Sequence, residues 1–173
     1  MHVDPLSAKH TPAYRRLMLH AYEQAPDAFT STPEERAAQP DSWWLKRIAD
    51  PNGEGIAFGA FHEGELVGTV ALEFSSKTKT KHKVHVVGMF VSETRRGLGA
   101  GKALIQAAIE YARARPAVRV MTLTVTQGNE SALSLYKACG FKQFGVEPIA
   151  ILTPSGYKAK VHMWHSLNED TAA

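Results

Sequence analysis

From Arg95 to Lys102 the chain reads Arg95-Arg96-Gly97-Leu98-Gly99-Ala100-Gly101-Lys102, with glycines at alternate positions, cations at both ends and an amphipathic segment immediately after. Glycine tolerates left-handed backbone and lets the main chain come close to a ligand. A helix that follows leaves its first amide hydrogens without intrahelical partners, and its dipole adds about half a positive charge at that end. The stretch therefore suits a phosphate group, with Arg95, Arg96 and Lys102 supplying fixed charge. It is not a Walker loop: Arg96 stands where the first Gly is needed, and Ala103 where Ser or Thr is needed. Nor is it a dinucleotide fingerprint, which requires Gly in the place of Lys102 and normally follows the first strand of a parallel fold.

Two side chains upstream are candidates for moving a proton. His85 has an ordinary pKa of about 6.5, suited to a base near neutrality. Strand alternation puts His85, Val87 and Met89 on one face, provided Gly88 introduces no slip. Glu73, on the preceding strand, is the alternative. The pairs His82/His85 and His162/His165 are three apart on strands, which sends them to opposite faces, so no metal site is expected. Cys139, just ahead of a helix-ending Gly, reads as a small buried residue rather than a nucleophile.

The elements that position these residues follow from periodicity and punctuation. Met1 to Leu6 reads as an opening strand confined to an edge by Pro5. Thr11 is the expected cap of a helix whose first turn Pro12 suits and whose apolar stripe is Tyr14, Leu17, Met18, Ala21 and Tyr22, ending near Gln24. A loop with a short helical piece between Pro33 and Pro40 precedes a second helix, capped by Asp41 or Ser42, that carries Trp43, Trp44, Leu45 and Ile48. The two tryptophans are expected to wall an acceptor pocket or to pack against the sheet. Gly55 to His62 and Leu66 to Ser75 form a hairpin through Glu63-Gly64-Glu65.

The alternating Lys77 to Lys83 segment is a solvated hairpin end whose lysines discourage edge pairing. The central strand runs from Lys83 to Val91, and its interior Gly88 marks a bulge or a close ligand approach. A helix from about Leu98 to Arg115 buries Leu104, Ile105, Ala108, Ile109 and Ala112, and Pro116 stops it. Val118 to Thr126 is then a strand, parallel to the central one because a helix intervenes. Asn129 caps a last helix that Gly140 terminates. Two strands, Phe141 to Leu152 and Lys158 to Leu167, finish the fold ahead of a polar tail, from about residue 168, that should fray.

A length of 173 residues with 44% hydrophobic content suits one domain, 1–173, with a proper core. The net charge of +3 is too mild for a nucleic-acid binder yet favours anionic ligands. A single cysteine permits no intrachain disulfide, and there is neither a signal-peptide core nor an apolar run near the roughly 20 residues of a membrane span. A cytoplasmic protein, with no nucleic-acid or membrane partner, is the expectation.

Arg96-x-x-Gly99-x-Gly101, preceded by Met89-Phe90-Val91 and followed by an amphipathic helix, resembles the acyl-CoA loop of the GCN5-related N-acetyltransferase (GNAT) superfamily. Asn129 to Phe141 looks like a second signature of the same superfamily, with Asn, small residues, Tyr, then Gly-Phe opening a strand. Pro26 and Phe29 ahead of the tryptophan helix, and Gly145-x-Glu147-Pro148 near the end, are similar to bacterial members of unassigned substrate.

The resemblance implies an α/β fold: a mixed, mostly antiparallel sheet flanked by helices, with the fourth and fifth strands parallel and splayed to admit acetyl-CoA. It further implies that the Arg96, Gly97, Leu98, Gly99, Ala100, Gly101 and Lys102 segment holds the pyrophosphate. Met89, Phe90 and Val91 would pair with pantetheine, and Asn129 and Ser131 would touch the cofactor. Tyr136 would lie near the sulfur, where it protonates the leaving thiolate. The base is His85, Glu73 or an ordered water. The implied activity is transfer of acetyl from acetyl-CoA to a primary amine in a ternary complex. A small-molecule acceptor is expected first, with a protein N-terminus or lysine as the enzymatic rival and a non-catalytic acyl-CoA-binding module as the other. A homodimer is compatible with the resemblance.

Overall fold

The structure is a computed structural model in which residues 1–168 are described. Of the expected frayed tail, from about residue 168, residues 169–173 lie outside the described residues, and Asn168 accepts from the Ser166 hydroxyl at 2.9 Å. Seven strands form one sheet in the order β1-β2-β3-β4-β5-β7-β6: β1 His2–Pro5, β2 Gly55–His62, β3 Glu65–Phe74, β4 Lys83–Val91, β5 Val120–Thr126, β6 Lys142–Thr153 and β7 Gly156–Ser166. Every neighbouring pair is antiparallel except β4 and β5. That exception follows from α4 (Ala100–Arg113), which carries the chain back across the sheet between them. This is the mixed, mostly antiparallel α/β fold that the sequence implies.

Helices cover both faces. On one, α4 lays down Leu104, Ile105, Ala108, Ile109 and Ala112, all buried, and α5 (Glu130–Ala138) adds Leu133 and Tyr136. Each buried Leu or Ile contributes about 1.5–3 kcal/mol relative to exposure. On the other face α1 (Thr11–Gln24) and α3 (Asp41–Ala49) pack Tyr14, Met18, Trp44 and Ile48 against Ala57, Ala71 and Phe90 of the sheet. The short α2 (Pro33–Ala37) lies between them, opened by a capping box in which Thr32 and Glu35 satisfy each other's amides.

Some local expectations shift by a residue or two. Thr11 opens α1 rather than capping it, since its hydroxyl donates back to the Ala8 carbonyl at 2.7 Å. The fourth helix begins at Ala100 instead of Leu98, because Gly99 sits in the left-handed region at φ 81° and cannot continue a helix backwards. Trp44 is fully buried in the core and Trp43 packs edge-on against it, so neither walls the central cavity; helix-to-sheet packing takes both.

Gly88 does mark a bulge. Thr69 pairs with Phe90 but Ala71 pairs with Val87, so β4 spends one more residue than β3 over that span, and Gly88 adopts φ 59°. The extra residue breaks the alternation: Val87 packs with the α1/α3 layer, while Met89 packs with the α4/α5 layer. His85 and Met89 therefore do not share a face, contrary to the uninterrupted period-two pattern.

Candidate active site

The ladder between β4 and β5 is short. Lys83, Val84 and His85 pair with Val120, Met121 and Thr122, after which β4 runs on to Val91 and β5 to Thr126 without a shared rung. The bulge at Gly88 bends β4 where the gap opens. Two connected spaces occupy the parting. A groove runs along the end of β4 and over the start of α4, with Lys102 and Ser131 in its walls. A cavity of about 320 Å³ penetrates the sheet behind it, with His85 and Tyr136 in its walls. Groove and cavity share Phe29, Met89, Asn129, Ala132 and Leu135, so they meet at the gap.

The groove ends in the expected cradle. The Arg96 amide donates to Glu93 and the Ala103 amide to Gly99, and no amide of residues 97–102 donates to a carbonyl among the described residues. Left-handed Gly97 (φ 78°) and Gly99 (φ 81°) produce that run of outward amides. Neither glycine has an atom within 4 Å of where a Cβ would stand, so the reason for glycine is backbone conformation rather than crowding. Gly101 differs: a Cβ there would meet Leu135 of α5 at 3.1 Å, so it holds α4 close to α5. Such a donor array, with exposed Arg96 and Lys102 beside it, fits the diphosphate of a nucleotide cofactor.

Most of the predicted cofactor residues are together. Met89, Phe90, Val91, Arg96, Gly97, Gly99, Ala100, Gly101, Lys102, Asn129 and Ser131 all border the groove. Leu98 does not: its side chain is 60% exposed, and it offers the site only backbone. Arg96 also braces the strand end, its Nε donating to the Val91 carbonyl at 3.2 Å. Asn129 caps α5 by accepting from the Ala132 amide at 3.3 Å and takes the Ser131 hydroxyl at 3.2 Å, while bordering both spaces.

Tyr136 borders the cavity rather than the groove and is 7% exposed. Its hydroxyl has no hydrogen-bond partner among the described residues, and burial raises its pKa well above that of a free phenol, which keeps the proton in place at neutral pH. His85 stands at the last rung of the ladder, with Nδ1 2.9 Å from the Thr122 hydroxyl, leaving Nε2 as its unengaged ring nitrogen. Burial lowers its pKa, partly opposed by the Glu73 carboxylate across the strand, so the ring is neutral at pH 7. Glu73 is turned to another task. It pairs with Arg47 at 2.7 Å, is 52% exposed on its side chain, and borders a neighbouring depression instead of the cavity.

Several cavity residues carry no signal in local sequence pattern. Tyr14 and Tyr22 count as apolar in the α1 stripe, yet both border the cavity, and burial raises the pKa of each. Arg36, Arg47 and Lys160 come from α2, α3 and β7 and converge only in three dimensions. The segment from Pro26 to Ser31 lends Ala28, Phe29, Thr30 and Ser31 to the cavity wall, tied down by Thr126 donating to the Asp27 carbonyl (2.6 Å), Lys158 to the Asp27 carboxylate (2.8 Å) and Lys160 to Thr30 (2.8 Å).

The parted sheet thus brings a groove suited to an anion up to a buried phenol and a neutral imidazole. Comparison with known proteins names the family. Residues 14–141 match the model of the acetyltransferase (GNAT) family, and the chain belongs to that family. It is 33% identical over 103 residues to an uncharacterized N-acetyltransferase of Methanocaldococcus jannaschii, a match covering 58% of this chain and 45% of that protein. It is 29% identical over 108 residues to the N-alpha-acetyltransferase RimI of Mycobacterium tuberculosis, covering 62% of this chain and 63% of the relative. The chain thus spans less than two thirds of either curated relative. In fold it superposes on a GNAT superfamily phosphinothricin acetyltransferase from Sinorhizobium meliloti, solved with acetyl-CoA, at TM-score 0.84 and 20% identity over 99% of this chain and 91% of that one. Among the described residues no helix is long and apolar enough to cross a membrane.

Proposed function

We propose that this protein transfers the acetyl group of acetyl-CoA to a primary amine by direct attack in a ternary complex, and that the acceptor is a small molecule. The observation that carries the reading is the parted β4–β5 pair. It joins a cradle of unpartnered amides to a cavity that holds a protonated phenol and a neutral imidazole.

The residues divide the work. Amides of residues 97–102, with Arg96 and Lys102, bind the diphosphate. The end of β4, unpaired on its β5 side, receives the pantetheine amides as an added strand would. Acetyl-CoA supplies a thioester carbon open to attack. An amine of pKa about 10 is mostly protonated at pH 7 and must lose a proton first. His85 Nε2 takes that proton, directly or through a water. The Met89 amide, at the bulge and outside both registers, is the donor to the oxygen that gains charge. Tyr136 gives its hydroxyl proton to the departing sulfur. Of the two candidate bases we favour His85, because the Glu73 carboxylate is occupied by Arg47.

The tied segment favours a small acceptor, since Ala28 to Ser31 take up part of the cavity wall and a peptide would compete with them for space. The similarity to RimI favours the rival, a protein N-terminus. Release of free thiol from acetyl-CoA, followed with a panel of small amines and peptides bearing free N-termini, decides between them. Turnover with peptides alone overturns the small-molecule acceptor. Acetyl-CoA binding with no release by any acceptor leaves a non-catalytic binding module.

A further inference from the structure

The cavity wall contains cations and no carboxylate. Arg36, Arg47 and Lys160 border it, and neither Asp nor Glu does. Arg47 is neutralised from outside by Glu73. Arg36 and Lys160 are not: among the described residues no carboxylate oxygen lies within 4 Å of either, and the partner of the Lys160 ammonium is the uncharged Thr30 hydroxyl. With His85 neutral, the space behind the reacting groups carries close to two uncompensated positive charges.

Arg36 is also held for a ligand. Its guanidinium carbon lies 4.2 Å from the Trp43 ring centroid and 5.9 Å from that of Tyr22, so two aromatic faces hold it in place. Its Nε is buried and has no hydrogen-bond partner, while the guanidinium interacts with the Tyr22 hydroxyl and partly offsets the upward effect of burial there. A buried charged donor left unmade is costly, and it calls for a partner such as a ligand oxygen or a water. A planar fork stacked on an aromatic ring matches an oxyanion bidentately.

Resting on the reading of the protein as an N-acetyltransferase, we infer that the acceptor is amino-acid-like, an amine that also bears an oxyanion, with Arg36 and Lys160 gripping the oxyanion while the amine is presented to His85. Polyamines and other polycationic amines are repelled by the same pair of charges. A carboxylate and a phosphorus oxyacid share the chemistry required, and the cavity volume of about 320 Å³ accommodates a molecule of amino-acid size.

Matched substrates test this. α-Amino acids and aminophosphonates are each compared with the methyl ester or the amine lacking the acid group, together with a polyamine, by thiol release at saturating acetyl-CoA. The free acid is expected to exceed its neutral partner in kcat/KM by about tenfold or more, the scale of one charged hydrogen bond. In Arg36→Gln and in Lys160→Gln that ratio falls towards one, while the acetyl-CoA Kd, which reports folding of each variant, changes by less than about twofold. Comparing carboxylates with phosphonates shows which oxyanion is preferred.

Turnover that favours neutral esters or polyamines overturns the inference and leaves the acetyltransferase reading standing. Calorimetry with the protein saturated in CoA separates the opposite case. Binding of the free acids, lost in Arg36→Gln, without turnover of any amine sustains the oxyanion site and overturns the catalytic reading. Neither binding nor turnover of acids overturns the inference.

Discussion

At the scale of single residues, the proposed mechanism uses two groups of opposite protonation state that border one cavity. Burial is the leading cause for both. It moves the Tyr136 pKa up and the His85 pKa down, each further from neutrality, because in each case the charged form is the one disfavoured. Removing the phenolic hydroxyl while keeping the ring should leave the cofactor site intact. Tyr136→Phe is expected to lower kcat by about 10²-fold or more, the usual weight of a general acid, with acetyl-CoA affinity by calorimetry unchanged within about twofold.

His85 makes a prediction about pH with a definite sign. A base must be unprotonated to work, and its pKa is lowered, so activity survives acidification better than a free imidazole would allow. The acid limb of kcat/KM should lie below about 6.5, and His85→Gln should remove that limb as well as lower the plateau. Glu73→Gln should cost less activity than His85→Gln. A larger loss in Glu73→Gln, with the limb retained in His85→Gln, would transfer the role of base to Glu73.

At the scale of elements, the bulge in β4 decides which way each side chain points. Gly88, at φ 59°, lets β4 take one extra residue, which sends Met89 to the α4 side while His85 stays on the α1 side of the gap. A Cβ at Gly88 would meet Tyr14, Met18 and Ala71 at 3.5 to 3.9 Å, ordinary contact distances, so the obstacle is the backbone region alone. Gly88→Ala should therefore lower stability by about 1–2 kcal/mol, the cost of a left-handed non-glycine residue, measured by urea unfolding. Its kcat should fall further than stability alone explains, since relief of the strain re-aims Met89. Gly99→Ala carries the same backbone strain in an open setting. Its main effect should be on acetyl-CoA affinity, read by calorimetry.

For the molecule as a whole, the two helical layers are joined through the sheet, yet the sheet itself is parted between β4 and β5. A ligand lying in that parting contacts β4, α4 and α5 together and binds the folded state only. Acetyl-CoA at about 100 times its Kd should therefore add about 2.7 kcal/mol. For a domain of this size that is a rise in Tm of about 5–10 °C by scanning calorimetry. The rise should shrink in Gly99→Ala; no rise at all would mean that the folded chain does not bind the nucleotide, and an undiminished rise in Gly99→Ala would place it outside this groove.

What was legible in the amino-acid order was whatever is local. The cradle is a run of consecutive residues whose glycines, cations and following helix all act within a few positions, so its chemistry could be read directly from Arg95 to Lys102. The α4 stripe, the Asn129 cap and the Gly140 stop are local in the same way, and the parallel β4–β5 pair follows from the helix between them. The cavity wall had no such signature. Tyr14, Arg36 and Lys160 stand far apart in the chain, each with an unremarkable neighbourhood. The gap that gathers them exists because strands part, a non-local event no periodicity records. Even Gly88, recognisable as a bulge, did not tell which face Met89 would take, because one inserted residue reverses every side chain beyond it. Backbone chemistry that repeats along the chain is written in sequence; the charge of a cavity is decided only when distant side chains are brought to share it.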